Sequence, residues 1–255
     1  MSRIPVALQL HTVRQEMTED MAGTLVKVAE MGYNGVELVA FKEAPPPGEV
    51  KGMIANAGLT LVSSHASFAD LRDDFGAAVA YHKTLGHCDI VVGAVPPDMR
   101  KTEEGWKEAV VQLEEIARNC TGAGFRVSMH NHAFELEATV DGVEAHHYVF
   151  SQIAADLLNA QLDTYFIEAV GKSPADYVRK FSGRVPLLHI KDKANDSDPD
   201  EQTQIGNGVI DWDAVFAAAE ESGVEWYIVE QKRESVPGID SARMSVEYLK
   251  SRGML

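Results

Sequence analysis

The 255-residue chain carries 39 Asp and Glu against 23 Lys and Arg, a formal net charge of −16. So acidic a surface repels phosphate backbones and makes nucleic acid a poor partner unless metals intervene. With 45% apolar residues it can bury a substantial core as a single domain over 1–255, and no apolar run approaches the ~18 residues of a membrane span. The N-terminal MSRIPVALQL lacks a signal-peptide pattern, so the expectation is a cytoplasmic protein. Cys88 and Cys120 have no CxxC spacing and indicate neither a disulfide framework nor a thiolate metal site.

Residues 4–10 form a short apolar strand with Gln9 and His11 on one face. Thr18 opens a helix to Met31, stopped by Gly32, and 35–39 (GVELV) is a second strand carrying Glu37. A Pro-Pro-Pro-Gly loop precedes a helix over 49–57. The third strand, 60–67 (TLVSSHAS), places Ser63, His65 and Ser67 on one face; a helix over 69–85 follows. Residues 89–95 are a fourth strand and 103–121 a long amphipathic helix. The stretch 125–135, FRVSMHNHAFE, alternates Val127 and Met129 with Ser128, His130 and His132 and so reads as a fifth strand, with Glu135 three residues beyond. A helix is expected over 141–155, with His146 and His147 facing solvent. Strand six (160–166) carries Asp163, strand seven (185–190) leads through His189 to Lys191, and strand eight (226–230) ends in Glu230. Helices over 174–181, 211–222 and 239–250 complete the alternation. Residues 196–201 read as a solvated loop that could also serve as a lid.

Eight strands alternating with helices mean βαβ units and parallel pairing, the count and size of a (β/α)8 TIM barrel. A doubly wound sheet would show a Gly-rich phosphate loop after an early strand. The first turn here reads QLHTVRQ, with neither GxGxxG nor a Walker loop.

In such barrels chemistry sits at the C-terminal ends of the strands. Gln9, His11, Glu37, His65, His130, His132, Glu135, Asp163, His189, Lys191 and Glu230 all fall there. Carboxylates and imidazoles together suit one divalent cation such as Mn²⁺, Co²⁺, Mg²⁺ or Zn²⁺, while imidazole disfavours Ca²⁺. Such an ion polarises a sugar carbonyl, and a flanking base then moves the proton of the adjacent carbon. Glu37, His65 and Lys191 have an equally plain structural role as hydrogen-bonded or ion-paired residues of the barrel mouth.

The stretches QLHTVR (9–14), GYNGVEL (32–38), SSHAS (63–67), MHNHAFEL (129–136), QLDTYF (161–166), RVPLLHIKD (184–192), IGNGVIDW (205–212) and GVEWYIVEQ (223–231) resemble the xylose-isomerase-like barrels, a group that holds sugar phosphate isomerases and epimerases together with the endonuclease IV type. The resemblance spans nearly the whole chain and implies the branch with a His-Asn-His-x-x-Glu motif, without specifying a substrate. It implies a metal held by glutamate, aspartate, histidine and glutamate from strands five to eight. Asp163, His189 and Glu230 match the last three. The chain departs at strand five, which ends in His130, so Glu135 is the expected ligand with His130 or His132 as base; a histidine ligand in its place stays open. Gln9, His11, Arg14, Glu37 and His65 match positions that line the sugar pocket, and Lys191 is a further catalytic candidate.

The expected function is a metal-dependent isomerase or epimerase of a keto-sugar. The alternative is a lyase or dehydratase of a 3-keto-sugar, keto-inositol or keto-glycoside, which the loss of the strand-five glutamate favours. Endonuclease-type hydrolysis is disfavoured by the −16 charge and the absence of further histidine ligands. A non-catalytic sugar-binding protein is the remaining reading. The partner is a small carbohydrate, with a homo-oligomer possible; the acidic KDKANDSDPDE segment makes a free sugar or glycoside the better expectation than a sugar phosphate.

Overall fold

A computed structural model of the chain describes residues 3–40, 44–86, 89–195, 201–232 and 236–255. Cys88, most of the 196–201 loop and Arg233 therefore lie outside the described residues. The strands β1 (Val6–Gln9), β2 (Gly35–Leu38), β3 (Thr60–Ala66), β4 (Asp89–Val92), β5 (Arg126–His130), β6 (Asn159–Asp163), β7 (Leu187–Ile190) and β8 (Trp226–Val229) close into one parallel barrel. Each is followed by a helix that returns the chain: α1 (Met21–Met31), α2 (Pro47–Asn56), α3 (Phe75–Leu85), α4 (Glu103–Gly122), α5 (Ala145–Gln152), α6 (Pro174–Lys180), α7 (Trp212–Ser222) and α8 (Gly238–Ser251).

The strands have two buried faces of different chemistry. The outward face (Val36, Ile90, Val127, Met129, Leu162, Leu188, Val229) packs against the helices in one large apolar core. The inward face is split by height. Its lower layer is a small apolar cluster of Ala7, Val62, Val91, Leu187 and Ile228. One step towards the C-terminal mouth the same face becomes polar: Gln9, Glu37, Ser63, His130, Gln161, Asp163 and His189 are all buried. Parallel pairing stacks them into one ring, with Gln9 beside Glu37, Glu37 beside Ser63, His130 beside Gln161 and Asp163 beside His189. A register shift between Val36 and Glu37 seats Glu37 against Ser63.

Helix boundaries depart from the sequence pattern where local hydrogen bonds compete. The expected 69–85 helix breaks at Asp74 into Phe68–Asp73 and α3. Strand six stops at Asp163, whose carboxylate accepts from the Tyr165 N–H at 2.9 Å and opens a short helix, Thr164–Ala169. The expected 141–155 helix begins only at Ala145. Asp141 and Gly142 both have positive φ (51° and 75°), closing a two-residue hairpin between Thr139–Val140 and Val143–Glu144. An Asp-Gly pair is suited to that turn.

That hairpin also overturns the solvent-facing placement of His146, which is fully buried. Its Nδ1 lies 2.9 Å from the Tyr177 hydroxyl, and its ring packs 4.8 Å from Phe150 and 5.0 Å from Phe181. His147 is partly covered, stacked on Tyr177 and Phe181. Beyond β7 the buried Asp192 accepts from the N–H groups of Gly206, Gly208 and Ile210 and from Trp212 Nε1 at 2.8–3.3 Å. A Cβ on Gly208 would stand 2.2 Å from Asp192 Oδ1, so only glycine fits this nest.

Burial, reinforced by the charges of His147, Lys172 and Arg184, lowers the His146 pKa to about 3 from 6.5. The unfolded chain therefore binds the extra proton between those values, and this contribution to stability is present above pH 6.5 and lost as pH falls towards 3. His146→Leu should flatten the fall of unfolding free energy with pH by up to about 1.4 kcal/mol per pH unit between pH 6 and 4. Urea titrations at several pH values measure this, and equal slopes in both proteins would refute it.

Candidate metal and sugar site

Glu37 lies at the centre of the polar ring. Its Oε1 accepts from Gln9 Nε2 at 2.7 Å and its Oε2 from Ser63 Oγ and Gln161 Nε2, both at 2.5 Å. His189 Nε2 lies 2.7 Å and His65 Nε2 3.0 Å from Oε1. Burial opposes a charge here, but His65 and His189 outweigh it and hold the Glu37 carboxyl well below the usual range. The same carboxylate, with Glu230, overcomes burial at His189 and pushes its pKa up to about 10.

With Nε2 committed to Glu37, His189 presents Nδ1 on its other side. That atom is buried without hydrogen-bond geometry to any partner among the described residues, as is Asp163 Oδ2. Glu230 Oε2 is 3.4 Å from His189 Nδ1. Asp163, His189 and Glu230 thus bring one ligand atom each within 4.8 Å of one another. His130 points its Nδ1 at Gln161 Oε1 (3.1 Å) and leaves Nε2 3.9 Å from Asp163 Oδ2. Two orphaned buried ligand atoms beside a carboxylate, with a second imidazole at hand, fit a divalent cation of the Mn²⁺, Co²⁺, Mg²⁺ or Zn²⁺ kind. The Glu37–His189 contact is the arrangement by which an outer carboxylate orients an imidazole for a metal.

The fully buried Lys191 has its Nζ 3.7 Å from Asp163 Oδ2 and 3.5 Å from Glu230 Oε2, over the ring of Phe166 at 4.9 Å. Burial disfavours its charge, but Glu230 and Asp163 outweigh burial and raise its pKa. Lys232 Nζ is 3.3 Å and His11 Nδ1 3.9 Å from Glu230 Oε1. Burial and Lys232 lower the His11 pKa to about 4. Arg14 lies one helical turn further out, its Nη1 donating to the His11 carbonyl at 3.3 Å.

β5 ends at His130, and His132 instead begins the short helix Ala133–Glu137. The His132 ring still reaches the cluster, 4.9 Å from those of His130 and Phe166. Burial, then Lys232 and Lys191, lower its pKa to about 3. Glu135 does not join these groups. Its Oε2 accepts from the His132 N–H at 2.8 Å, and burial raises its pKa to about 8. The sequence reading missed two supports. Gln161 bridges Glu37 to both His65 and His130. Arg100 covers Phe134 at 3.6 Å while Phe134 stacks on His132. Gln161 is marked in sequence by its two-residue spacing from Asp163, whereas Arg100 lies in a loop with no local signal.

Glu37→Ala would strand donors from four strands and should lower the unfolding free energy by about 3–5 kcal/mol. Glu37→Gln, which keeps the shape but places an amide against five donors, should cost less. Chemical denaturation monitored by tryptophan fluorescence decides this; a cost under about 1 kcal/mol for the alanine variant would show that the network is dispensable.

A family model described as the xylose isomerase-like TIM barrel matches residues 25–252. The inosose dehydratase of Geobacillus kaustophilus is 22% identical over 267 residues, covering 88% of this chain and 85% of that protein. The crystal structure of a sugar phosphate isomerase/epimerase from Parabacteroides distasonis superposes with a TM-score of 0.86 at 20% identity, covering 100% of this chain and 96% of the other. That of an IOLI protein with a bound zinc atom superposes at 0.75 and 17% identity, covering 97% and 98% of the two chains. The chain belongs to the xylose isomerase-like TIM barrel family, which includes sugar isomerases, epimerases and dehydratases.

Proposed function

We propose that the protein is a metal-dependent isomerase or epimerase of a keto-sugar or keto-sugar derivative. The observation that carries this reading is the convergence of Asp163, His189 and Glu230, with His189 Nδ1 and Asp163 Oδ2 buried and without a hydrogen bond among the described residues, and with a neutral imidazole and a buried ammonium alongside. The likeness to a zinc-bound barrel and to a sugar isomerase/epimerase supports it.

In this reading Asp163, His189 and Glu230 are ligands, and His130 takes the fourth position in place of Glu135, one of whose oxygens accepts the His132 N–H. The ion, when bound, polarises the carbonyl and acidifies the neighbouring C–H. Glu37 holds the His189 ring with Nδ1 turned towards Glu230. His132, neutral through burial, accepts the substrate proton at an imidazole nitrogen and returns it to the adjacent carbon. Lys191 keeps its proton on Nζ and stabilises the enediolate oxygen by charge. Gln9, His11, Arg14 and His65 line the sugar pocket.

A second reading, elimination of water or an aglycone, is favoured by one specific feature. Glu37 is saturated by donors and Glu135 stands outside the Asp163–His189–Glu230 group, so among the described residues these two carboxylates do not flank the centre as a free pair. What remains is the asymmetric pair of an imidazole, His132, to accept a proton and a fixed cation, Lys191 Nζ, to stabilise the negative charge that develops on the substrate. The likeness to a dehydratase points the same way.

Purified protein should hold about one divalent ion per chain, lost in Asp163→Asn, His189→Ala and His130→Ala but kept in Glu135→Gln. Elemental analysis after dialysis reads this out; loss in Glu135→Gln with retention in His130→Ala would restore Glu135 as the ligand. With metal-loaded enzyme and keto-sugars in D₂O, deuterium should enter the carbon beside the carbonyl, and His132→Ala should slow this by about 10²–10⁴-fold. Formation of an enone absorbing in the ultraviolet would establish the lyase instead, and neither signal with any metal would refute both readings.

A further inference from the structure

We propose that Lys191 sets the affinity of the candidate metal centre: its ammonium shares two carboxylates with the divalent ion, which therefore binds more weakly than the surrounding ligands alone would hold it; this rests on the metal reading above. Lys191 Nζ lies 3.7 Å from Asp163 Oδ2 and 3.5 Å from Glu230 Oε2. The same two oxygens face the centre. Asp163 Oδ2 is buried without a hydrogen bond among the described residues, and Glu230 Oε2 lies 3.4 Å from His189 Nδ1. An ion drawn to those oxygens meets a fixed positive charge already drawn to them.

A surface lysine would swing into water as a second cation arrived. Lys191 has no water to reach, being fully buried. Thr164 pins its backbone: the Lys191 N–H donates to Thr164 Oγ1 at 3.0 Å, and that hydroxyl donates to the Lys191 carbonyl at 2.8 Å. Its Nζ lies over the rings of Phe166 and Tyr165, 4.9 and 5.2 Å from their centroids. Held there, it keeps Asp163 and Glu230 from repelling each other before an ion binds. It also repels the ion. Like charges a few ångströms apart in buried surroundings change a binding constant by about tenfold or more. Lys232 supplies the contrast. Its Nζ is 3.3 Å from the other oxygen of Glu230, Oε1, but its side chain is 38% exposed, so water and salt screen it.

The test strips the full-length protein with a chelator and titrates it with Mn²⁺, reading free Mn²⁺ by electron paramagnetic resonance. Lys191→Met keeps an unbranched stem and removes the charge. It should bind Mn²⁺ about tenfold or more tighter than the wild type, while Lys232→Met should differ by less than about threefold. A lysine that only supports the fold predicts the opposite sign, because its loss would loosen the ligands. Unchanged or weaker binding in Lys191→Met, or equal tightening in both variants, would overturn the proposal. Circular dichroism with and without Mn²⁺ reports folding. If Lys191→Met does not fold, Lys191→Gln, which keeps donors for both carboxylates without a charge, decides by the same tightening. Failure of both to fold in saturating Mn²⁺ would make the lysine a structural cation and overturn the proposal. Mn²⁺ bound by Lys191→Met but not by the wild type would sustain this inference and remove the metal-dependent reading; binding by neither would end both.

Discussion

A carboxylate without water needs donors, and Glu37 obtains them from strands on every side of the barrel. Gln9, Ser63, His65, Gln161 and His189 come from β1, β3, β6 and β7, and all direct a nitrogen or hydroxyl at one side chain. An isolated buried charge would cost several kcal/mol. Satisfied in this way it ties together strands that are distant in sequence. The barrel mouth keeps its shape because its polar centre is closed on itself, just above an apolar layer that keeps water out from below.

The candidate site follows from that closure. Because Glu37 occupies His189 Nε2, the ring must present Nδ1 to Asp163 and Glu230. Because Gln161 occupies His130 Nδ1, His130 must present Nε2 to Asp163. Two imidazoles are thereby held in defined orientations by groups outside the proposed ligand set, as outer partners do in metal centres. Lys191 adds a compensating charge between Asp163 and Glu230.

Conflict between local and long-range forces accounts for the elements that departed from the sequence pattern. Short polar side chains at Asp74 and Asp163 sit where helices begin afresh, and the Asp163 carboxylate caps a backbone N–H directly. Asp141-Gly142 takes the positive φ that a hairpin requires and delays α5 to Ala145. His146 then faces Phe150, Tyr177 and Phe181, a contact between α5, α6 and the chain just beyond it that no local window contains.

Period-two and helical patterns, turn glycines and the polar residue closing each strand were enough to establish the (β/α)8 alternation and to place polar residues at the strand ends, because both depend on neighbours a few positions apart. Asp163, His189, Lys191 and Glu230 were legible for that reason. What only the tertiary structure decided is orientation and partnership. Sequence offered Glu37 as either a pocket residue or a paired mouth residue; closure of the barrel made it the acceptor for β1, β3, β6 and β7. Glu135 carries the right chemistry at a suggestive spacing; the turn after His130 ties one of its oxygens to the His132 N–H, while His130 faces Asp163. Spacing along a chain states which groups are present near a strand end, but the direction of each nitrogen and oxygen is set by strand register and by the hydrogen bonds of groups 26 to 152 residues away.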